Sequence, residues 1–204
     1  MESTRSSSDG RNERSAVTLL AVGRAVDKKG FDDLLRALAS IPGELHWQLL
    51  HVGDGPQLPM LKALAHELRI DDRIRWLGPQ AHAVVLGAYR TAEVFVLPSR
   101  IASDGDRDGL PNVLLEAQSQ RLACVSTRVS GIPELIVDGE TGLLVPAGDL
   151  DALQRALTDL LADPERARRL GEAGRARVRA SFSATAASER ILKIYEAGRY
   201  PHRP

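Results

Sequence analysis

The stretch AVTLLAVGRAVDKKGFDDLLRALASI (16–41) holds one strand and one helix, which a short polar loop joins. The apolar run 16–23 is typical of a strand that is buried on both faces of a sheet. Apolar residues then recur at helical spacing from Phe31 to Leu38. A doubly buried strand that leads straight into a helix predicts an α/β protein.

Strands and helices continue to alternate along the chain. Further apolar runs predict strands at 45–53, 73–78, 94–99, 122–127 and 142–148. Segments with helical spacing separate these runs, and short turns join them. The alternation predicts a single α/β domain, with a six-stranded parallel sheet, right-handed crossovers and helices on both faces.

The two ends of the chain differ from its middle. Residues 1–15 are polar and rich in serine, which predicts a disordered lead-in. Residues 16–181 carry the alternating pattern and form the predicted domain. The remaining stretch, 182–204, predicts a C-terminal helix and a tail.

The composition argues against several functions. Lysine plus arginine and aspartate plus glutamate both total 27, so the formal net charge is zero and no broad surface for nucleic acid is expected. The single cysteine, Cys124, excludes an intrachain disulfide and fits a reducing cytosol. No apolar stretch approaches the ~20 residues of a membrane span, and no signal-peptide pattern is present. We therefore expect a cytoplasmic protein.

One basic stretch, RARRLGEAGRARVR (166–179), lies on a predicted helix near the end of the chain. We interpret it as a solvated helix face. Contact with anionic lipid headgroups is the alternative, and it would place the protein at the inner face of the cytoplasmic membrane.

The loops after the strands are where a ligand is expected, because open parallel sheets bind ligands outside the carboxyl ends of their strands. Arg24 and Lys29 follow the first strand, and two cations there suit a phosphate. A solvated loop is the alternative, and this loop alone favours it. In VGDGP (52–56), Gly53 and Gly55 fit a tight turn as well as a phosphate cradle.

The stretch DRDGLPNVLLEA (106–117) is more specific. Pro111 suits the first turn of a helix, so the free N–H groups around Leu110, Asn112 and Val113 point out of the helix end and favour an anion such as a pyrophosphate. Asp108 either serves this site or caps the helix. Glu116, on an otherwise apolar helix, either accepts hydrogen bonds from ribose hydroxyls or faces solvent.

Other chemistries lack their sequence patterns. The five histidines have no metal-ligand spacing. The serines have no nucleophile-elbow context, and there is no Walker A motif. The sequence therefore predicts no metal site.

Several stretches, taken together, resemble a known family. They are VGRAVDKKGFDDLLRAL (22–38), VGDGP (52–56), RIRWLG (73–78), AEVFVLPS (92–99), DGLPNVLLEA (108–117), STRVSGIPELIVDGETGLLVPAGD (126–149) and ILKIYE (191–196). Their order and spacing are similar to those of the C-terminal half of family 4 glycosyltransferases, which are retaining enzymes of the GT-B fold with nucleotide-sugar donors. The resemblance implies a Rossmann-like domain and covers about residues 16 to 197.

The resemblance also implies roles for residues. Arg24 and Lys29 match the cation pair on the donor diphosphate. Asp108 and Glu116 match the family's two-acid catalytic motif, the first acid near the donor sugar and the second on the ribose.

Further positions match the donor-contacting loops of the family. The backbone that would hold the phosphates consists of Gly109, Leu110, Pro111, Asn112 and Val113. The loop that would border the base and ribose consists of Leu77, Gly78, Pro79 and Gln80. Candidate loop contacts are Gly53, Gly55, Gly131 and Glu134.

Three departures from the family pattern stand out. Asp108 replaces the usual glutamate, in a form similar to a subgroup that acts in exopolysaccharide or colanic-acid-type synthesis. Arg121 replaces the usual glycine before the fifth strand, so a differently built helix end is expected there. The acceptor-binding N-terminal domain of the family is missing, and the final helix is expected to pack on it.

The resemblance thus implies the donor-binding domain of a retaining glycosyltransferase. It would take a UDP- or GDP-sugar as substrate, without a metal or other cofactor, and by itself would bind without turnover. A non-catalytic subunit that pairs with a separate acceptor-binding subunit is the alternative. A nucleotide-sugar epimerase of the same fold fits the two-acid motif less well.

Overall fold

In the computed structural model, residues 16–183 are described, and their centre is a sheet of six parallel strands. The strands are β1 Val17–Val22, β2 Trp47–Val52, β3 Ile74–Gly78, β4 Val94–Leu97, β5 Ala123–Thr127 and β6 Leu143–Val145. They lie in the order β3-β2-β1-β4-β5-β6. The predicted six-stranded parallel sheet is therefore confirmed.

Helices connect the strands and close the described part of the chain. They are α1 Phe31–Ala39, α2 Leu58–Glu67, α3 His82–Thr91, α4 Asn112–Ser119, α5 Ile132–Leu135, α6 Leu150–Ala162 and α7 Pro164–Ser181. Short 3-10 turns lie at Asp27–Lys29 and Asp71–Arg73. The lead-in 1–15 and all but the first residues of the predicted final helix lie outside the described residues.

The order in which strands are added to the sheet reverses beside β1. The chain runs outward from β1 to β3 and then returns to place β4 on the other side of β1. Such a switch point opens a crevice at the carboxyl ends of the strands. Because β1, β4 and β5 are buried along their whole length, the sheet is a rigid base for the loops above it.

The end of α4 tests the departure at Arg121. Arg121 adopts the left-handed conformation, with φ 66°. Its N–H donates to Gln118 O at 2.9 Å, and the N–H of Leu122 donates to Ala117 O at 3.1 Å. This pair of bonds is the Schellman motif. The expectation of a different helix end was therefore wrong, because arginine accepts the backbone strain that glycine would avoid.

The last helices follow the predicted pattern. The Asp149 side chain accepts the N–H of Ala152 at 2.8 Å and so caps α6. The Asp163 side chain accepts the N–H of Arg166 at 2.8 Å and caps α7 in the same way. Among residues 16–183, no helix has the length and hydrophobicity that crossing a bilayer requires.

Candidate functional site

The loops after β1, β2 and β3 enclose a cleft of about 460 Å³ at the carboxyl ends of the strands. Its lining combines residues of these loops with the last residues of β1 and β2 and one residue of α3: Val22, Gly23, Arg24, Val52, Gly53, Asp54, Gly55, Pro79, Gln80 and Val85. A second hollow, of about 470 Å³, lies between the end of α1 and the start of α6 and carries none of the predicted site residues. The first cleft is the candidate site, since it joins residues from three predicted loops.

The glycines of the second loop allow two loops to pack closely. A Cβ atom on Gly53 would lie 2.0 Å from Gly23 O, and one on Gly55 would lie 2.6 Å from Ala25 O. The N–H of Ala25 donates to Asp54 O at 3.0 Å across the same contact. The tight-turn interpretation explains these glycines, and their contact with a ligand stays a prediction.

The predicted base-bordering stretch 77–80, whose first two residues are the end of β3, is fixed against the loop after β2. The N–H of Gly53 donates to Gly78 O at 2.9 Å, and the Gln80 side chain donates to Leu77 O. Pro79 and Gln80 line the cleft, whereas Leu77 and Gly78 do not. The loop therefore presents its second half to the site.

Lys29 forms a close ion pair with Asp108. The Lys29 Nζ atom lies 2.6 Å from Asp108 Oδ2, and the two side chains are 12% and 19% exposed. Asp108 does not cap α4, because no side chain accepts a hydrogen bond from the first turn of that helix. The capping alternative was therefore wrong.

Lys28, which the sequence did not single out, joins the same cluster. Its Nζ atom lies 3.1 Å from Asp106 Oδ2 and 3.5 Å from Asp108 Oδ1. The hydrogen bond to Asp106 is the main cause that raises the pKa of Lys28. Two lysines thus face two aspartates where the loops after β1 and β4 meet.

The start of α4 presents backbone to solvent. Pro111 is its N-cap residue rather than part of its first turn, with φ −65° and ψ 120°. A Cβ atom built on Gly109 would meet no atom within 4 Å, so the space beside Gly109 is open. Gly109 O accepts the N–H of Gly131 at 2.9 Å, which joins the loop after β5 to the site. Asn112 is exposed, and Val113 is half-buried.

Glu116 is held by a tyrosine that the sequence did not reveal. The hydroxyl of Tyr89, on α3, donates to Glu116 Oε2 at 3.0 Å. Burial and then the charge of Glu116 raise the pKa of Tyr89, so this hydroxyl stays protonated. Glu116 is half-buried, which contradicts the solvent-facing alternative. The available signal was a tyrosine on a helix just before a buried strand, where a hydroxyl needs a partner.

The end of α5 is tied to α7, the last described helix. Arg177 of α7 donates from Nε to Leu135 O and from Nη2 to Glu134 O, both at 2.7 Å. The Glu134 residue itself is exposed. Arg177 therefore fixes the end of α5 and, through it, the backbone at Gly131.

A comparison with protein families decides what kind of domain this is. The family described as "Glycosyl transferases group 1" matches residues 4–177, which is most of the chain. The chain belongs to this family. The resemblance to family 4 glycosyltransferases is thus confirmed.

Two curated relatives of this glycosyltransferase chain are about one-third identical to it. The lipopolysaccharide core biosynthesis glycosyltransferase LpsE of Rhizobium meliloti (strain 1021) is 34% identical over 179 residues, which are 88% of this chain and 49% of the relative. The GDP-mannose-dependent alpha-(1-6)-phosphatidylinositol monomannoside mannosyltransferase of Mycolicibacterium smegmatis is 36% identical over 168 residues, which are 81% and 44%.

A solved structure agrees with the fold. The sucrose-phosphate synthase of Thermosynechococcus elongatus superposes with a TM-score of 0.77 and 33% identity, over 89% of this chain and 45% of that one. The chain therefore spans about half the length of the proteins that it matches. Its sheet and helices are those of a GT-B glycosyltransferase domain.

Proposed function

We propose that this glycosyltransferase chain is the donor-binding domain of a retaining enzyme. Its donor would be a UDP- or GDP-linked hexose, and its acceptor a glycan or a lipid-linked glycan in exopolysaccharide or other cell-surface polysaccharide synthesis. Two of its relatives support this class, since one is a lipopolysaccharide core biosynthesis glycosyltransferase and the other a GDP-mannose-dependent mannosyltransferase. Such transfer would take place in the cytoplasm or at the inner face of its membrane.

The observation that carries the proposal is the meeting of the first loop with the start of α4. Lys29 contacts Asp108, which directly precedes the open backbone at Gly109. Arg24 lines the adjoining cleft. These cations and the backbone N–H groups of Gly109, Leu110, Asn112 and Val113 would bind the diphosphate and stabilise the charge that develops on it as it leaves. We therefore propose that no metal ion is needed.

The rest of the donor extends from this anion site. Glu116 would accept hydrogen bonds from the ribose hydroxyls with the carboxylate oxygen that Tyr89 does not engage. Pro79 and Gln80 would border the base in the cleft. Asp108 would orient the hydroxyls of the sugar, and the loop around Gly131 and Glu134 would contact its far side.

The acceptor would bind to a second wall of the active site. We propose an N-terminal domain, or an equivalent subunit, because the chain covers about half of each relative. By itself the chain would bind the donor without transferring its sugar. A stable partner of similar size that copurifies with the chain would favour the two-subunit arrangement.

Isothermal titration calorimetry with UDP and GDP tests the donor proposal. We expect one of them to bind, and Lys29→Ala to weaken binding about tenfold or more because a charge-assisted contact is lost. Lys62→Ala, which changes an exposed lysine on α2, is the matched control. Failure of both nucleotides to bind would refute the proposal.

A further inference from the structure

Arg100 joins three aspartates of one neighbouring segment. Its Nη1 atom donates to Asp32 Oδ2 and Asp33 Oδ2, both at 3.1 Å, and its Nη2 atom donates to Asp27 Oδ1. Asp27 belongs to the 3-10 turn after β1, and the other two begin α1. The Arg100 side chain is 23% exposed. The guanidinium is the only side chain of this size and shape with enough planar donors for such an arrangement.

Backbone contacts strengthen this attachment. The N–H of Arg100 donates to Lys28 O at 2.9 Å. The N–H of Ser103 donates to Asp27 Oδ2 at 3.4 Å. The loop after β4 is therefore docked on the turn after β1 along its first residues, before it reaches the lysine cluster.

The attachment links the two segments that carry the proposed diphosphate site. Lys29 is in the same turn as Asp27, and Asp108 is in the same loop as Arg100. With Arg100 in place, the turn that carries Lys29 and the loop that carries Asp108 have a fixed separation. Without its guanidinium, the two segments keep the backbone bond to Lys28 O and the lysine–aspartate pairs but lose the bonds to the three aspartates, so their separation is less restricted.

The charges argue against a role in stability alone. One guanidinium faces three carboxylates, so the cluster holds more negative than positive charge. Burial, and then the charge of Asp32, raise the pKa of Asp33, whereas the hydrogen bond from Arg100 lowers the pKa of Asp27. A half-buried cluster of this kind is weak support for a fold, but it specifies one arrangement of its members.

We propose that Arg100 is a positioning residue for donor binding, which holds Lys29 and the backbone at 109–113 in register for a diphosphate. The inference rests on the proposed donor function. Arg100 itself does not contact the donor. It acts through the 3-10 turn on one side and through the loop after β4 on the other.

The test compares Arg100→Gln and Arg100→Lys with the natural chain in two measurements. Hydrogen–deuterium exchange without ligand reports the docking of 99–110. Calorimetry measures the affinity for a nucleoside diphosphate and for the matching monophosphate. The difference between the two affinities gives the contribution of the second phosphate. Arg168→Gln, which removes an exposed ion pair of α7, is the control.

We expect Arg100→Gln to speed exchange in 99–110 about tenfold or more, while the buried strands β1 and β4 keep their protection. Affinity for the diphosphate should fall about tenfold, and affinity for the monophosphate should change less than twofold. Arg100→Lys should behave like Arg100→Gln, because an ammonium group has no planar fork to span the carboxylates.

Three results would overturn the proposal. The first is unchanged exchange in 99–110. The second is faster exchange with unchanged diphosphate affinity, which would make Arg100 a structural residue only. The third is full rescue by Arg100→Lys, which would reduce its role to charge. If the natural chain binds no nucleotide, the donor proposal fails by that result, and the proposed role of Arg100 in donor binding falls with it, whatever the exchange shows.

Discussion

Lys29 and Asp108 form an ion pair between the loops after β1 and β4, with Nζ and Oδ2 2.6 Å apart. The pair neutralises the lysine that would otherwise face the diphosphate. Lys28 also contacts Asp108, at 3.5 Å. Asp108 thus contacts both lysines, and the proposed diphosphate would compete with it for them.

The first prediction concerns this competition. Asp108→Asn should tighten binding of a free nucleoside diphosphate about twofold to fivefold, since the ligand no longer displaces a carboxylate whose ion pair is worth a few tenths to 1 kcal/mol. The gain should shrink with the nucleotide sugar, because the proposed contact of Asp108 with the sugar is weakened. Calorimetry with both ligands measures this difference, and Asp151→Asn on α6 is the control. Weaker binding of the diphosphate would contradict the competition.

The second prediction concerns Tyr89. Tyr89→Phe removes the hydroxyl that donates to Glu116, so the carboxylate loses its orientation while the ring packing against Phe95 remains. We expect a loss of about 0.5–1.5 kcal/mol in the free energy of unfolding. Preference for a ribonucleotide over its 2′-deoxy form should fall at the same time. Urea unfolding and paired titrations measure the two effects, and an unchanged preference would show that Tyr89 does not act through Glu116.

The third prediction concerns His51, a buried residue of β2 between the rings of Phe31 and Trp76. Neither of its ring nitrogens has a hydrogen-bond partner, and burial lowers its pKa from 6.5 to about 4. The unfolded chain therefore takes up the proton first as the pH falls. The contribution of neutral His51 to the free energy of unfolding is fully present above pH 6.5. It falls by roughly 3 kcal/mol as the pH drops from 6.5 to about 4.

His51→Phe tests this pH dependence. In this variant, the free energy of unfolding should depend less steeply on pH, because the contribution of His51 is gone. The contribution of the carboxylates should remain. Urea unfolding at several pH values between 4.5 and 7.5 gives both slopes. His66→Gln, which changes an exposed histidine, should keep the natural slope. If the natural chain and His51→Phe had equal slopes, groups other than His51 would cause the pH dependence of the stability.

The fourth prediction concerns the packing of α7. A Cβ atom on Gly171 would lie 2.1 Å from Arg121 O, in the turn before β5. Gly171→Ala should therefore destabilise the fold by about 2 kcal/mol or more, because backbone must move. Gly87→Ala is the matched control, since Gly87 also lies in a helix but has open space around it. That change should stabilise by about 0.5–1 kcal/mol. Thermal unfolding of both variants distinguishes the two outcomes.

The sheet was predictable because its strands are buried on both faces, which makes each of them a continuous apolar run. β1 and β4 illustrate this point. The position of the loops after them at one edge of the sheet was also predictable, since the alternation of strands and helices fixes where the carboxyl ends lie. The pairing of Lys29 with Asp108 was not, because these residues are 79 positions apart and no local pattern links them.

Side-chain partners inside the site were hidden for the same reason. Arg100 looks like an ordinary loop arginine until the fold brings it to Asp32, 68 positions earlier. The helix end at Arg121 was predicted wrongly, because glycine is the usual residue in a left-handed conformation and arginine stands there instead. Only the packed structure shows that its hydrogen bonds are those of a glycine turn.

The order of the strands has a consequence for synthesis of the protein. A nascent chain that has emerged through β3 already carries Arg24 and Lys29, yet β4 and α4 are still to come. The proposed anion site is thus completed only when the later half of the sheet inserts beside β1. A donor nucleotide would bind more weakly to any earlier folding intermediate than to the complete domain. Its binding would therefore stabilise the finished fold over these intermediates.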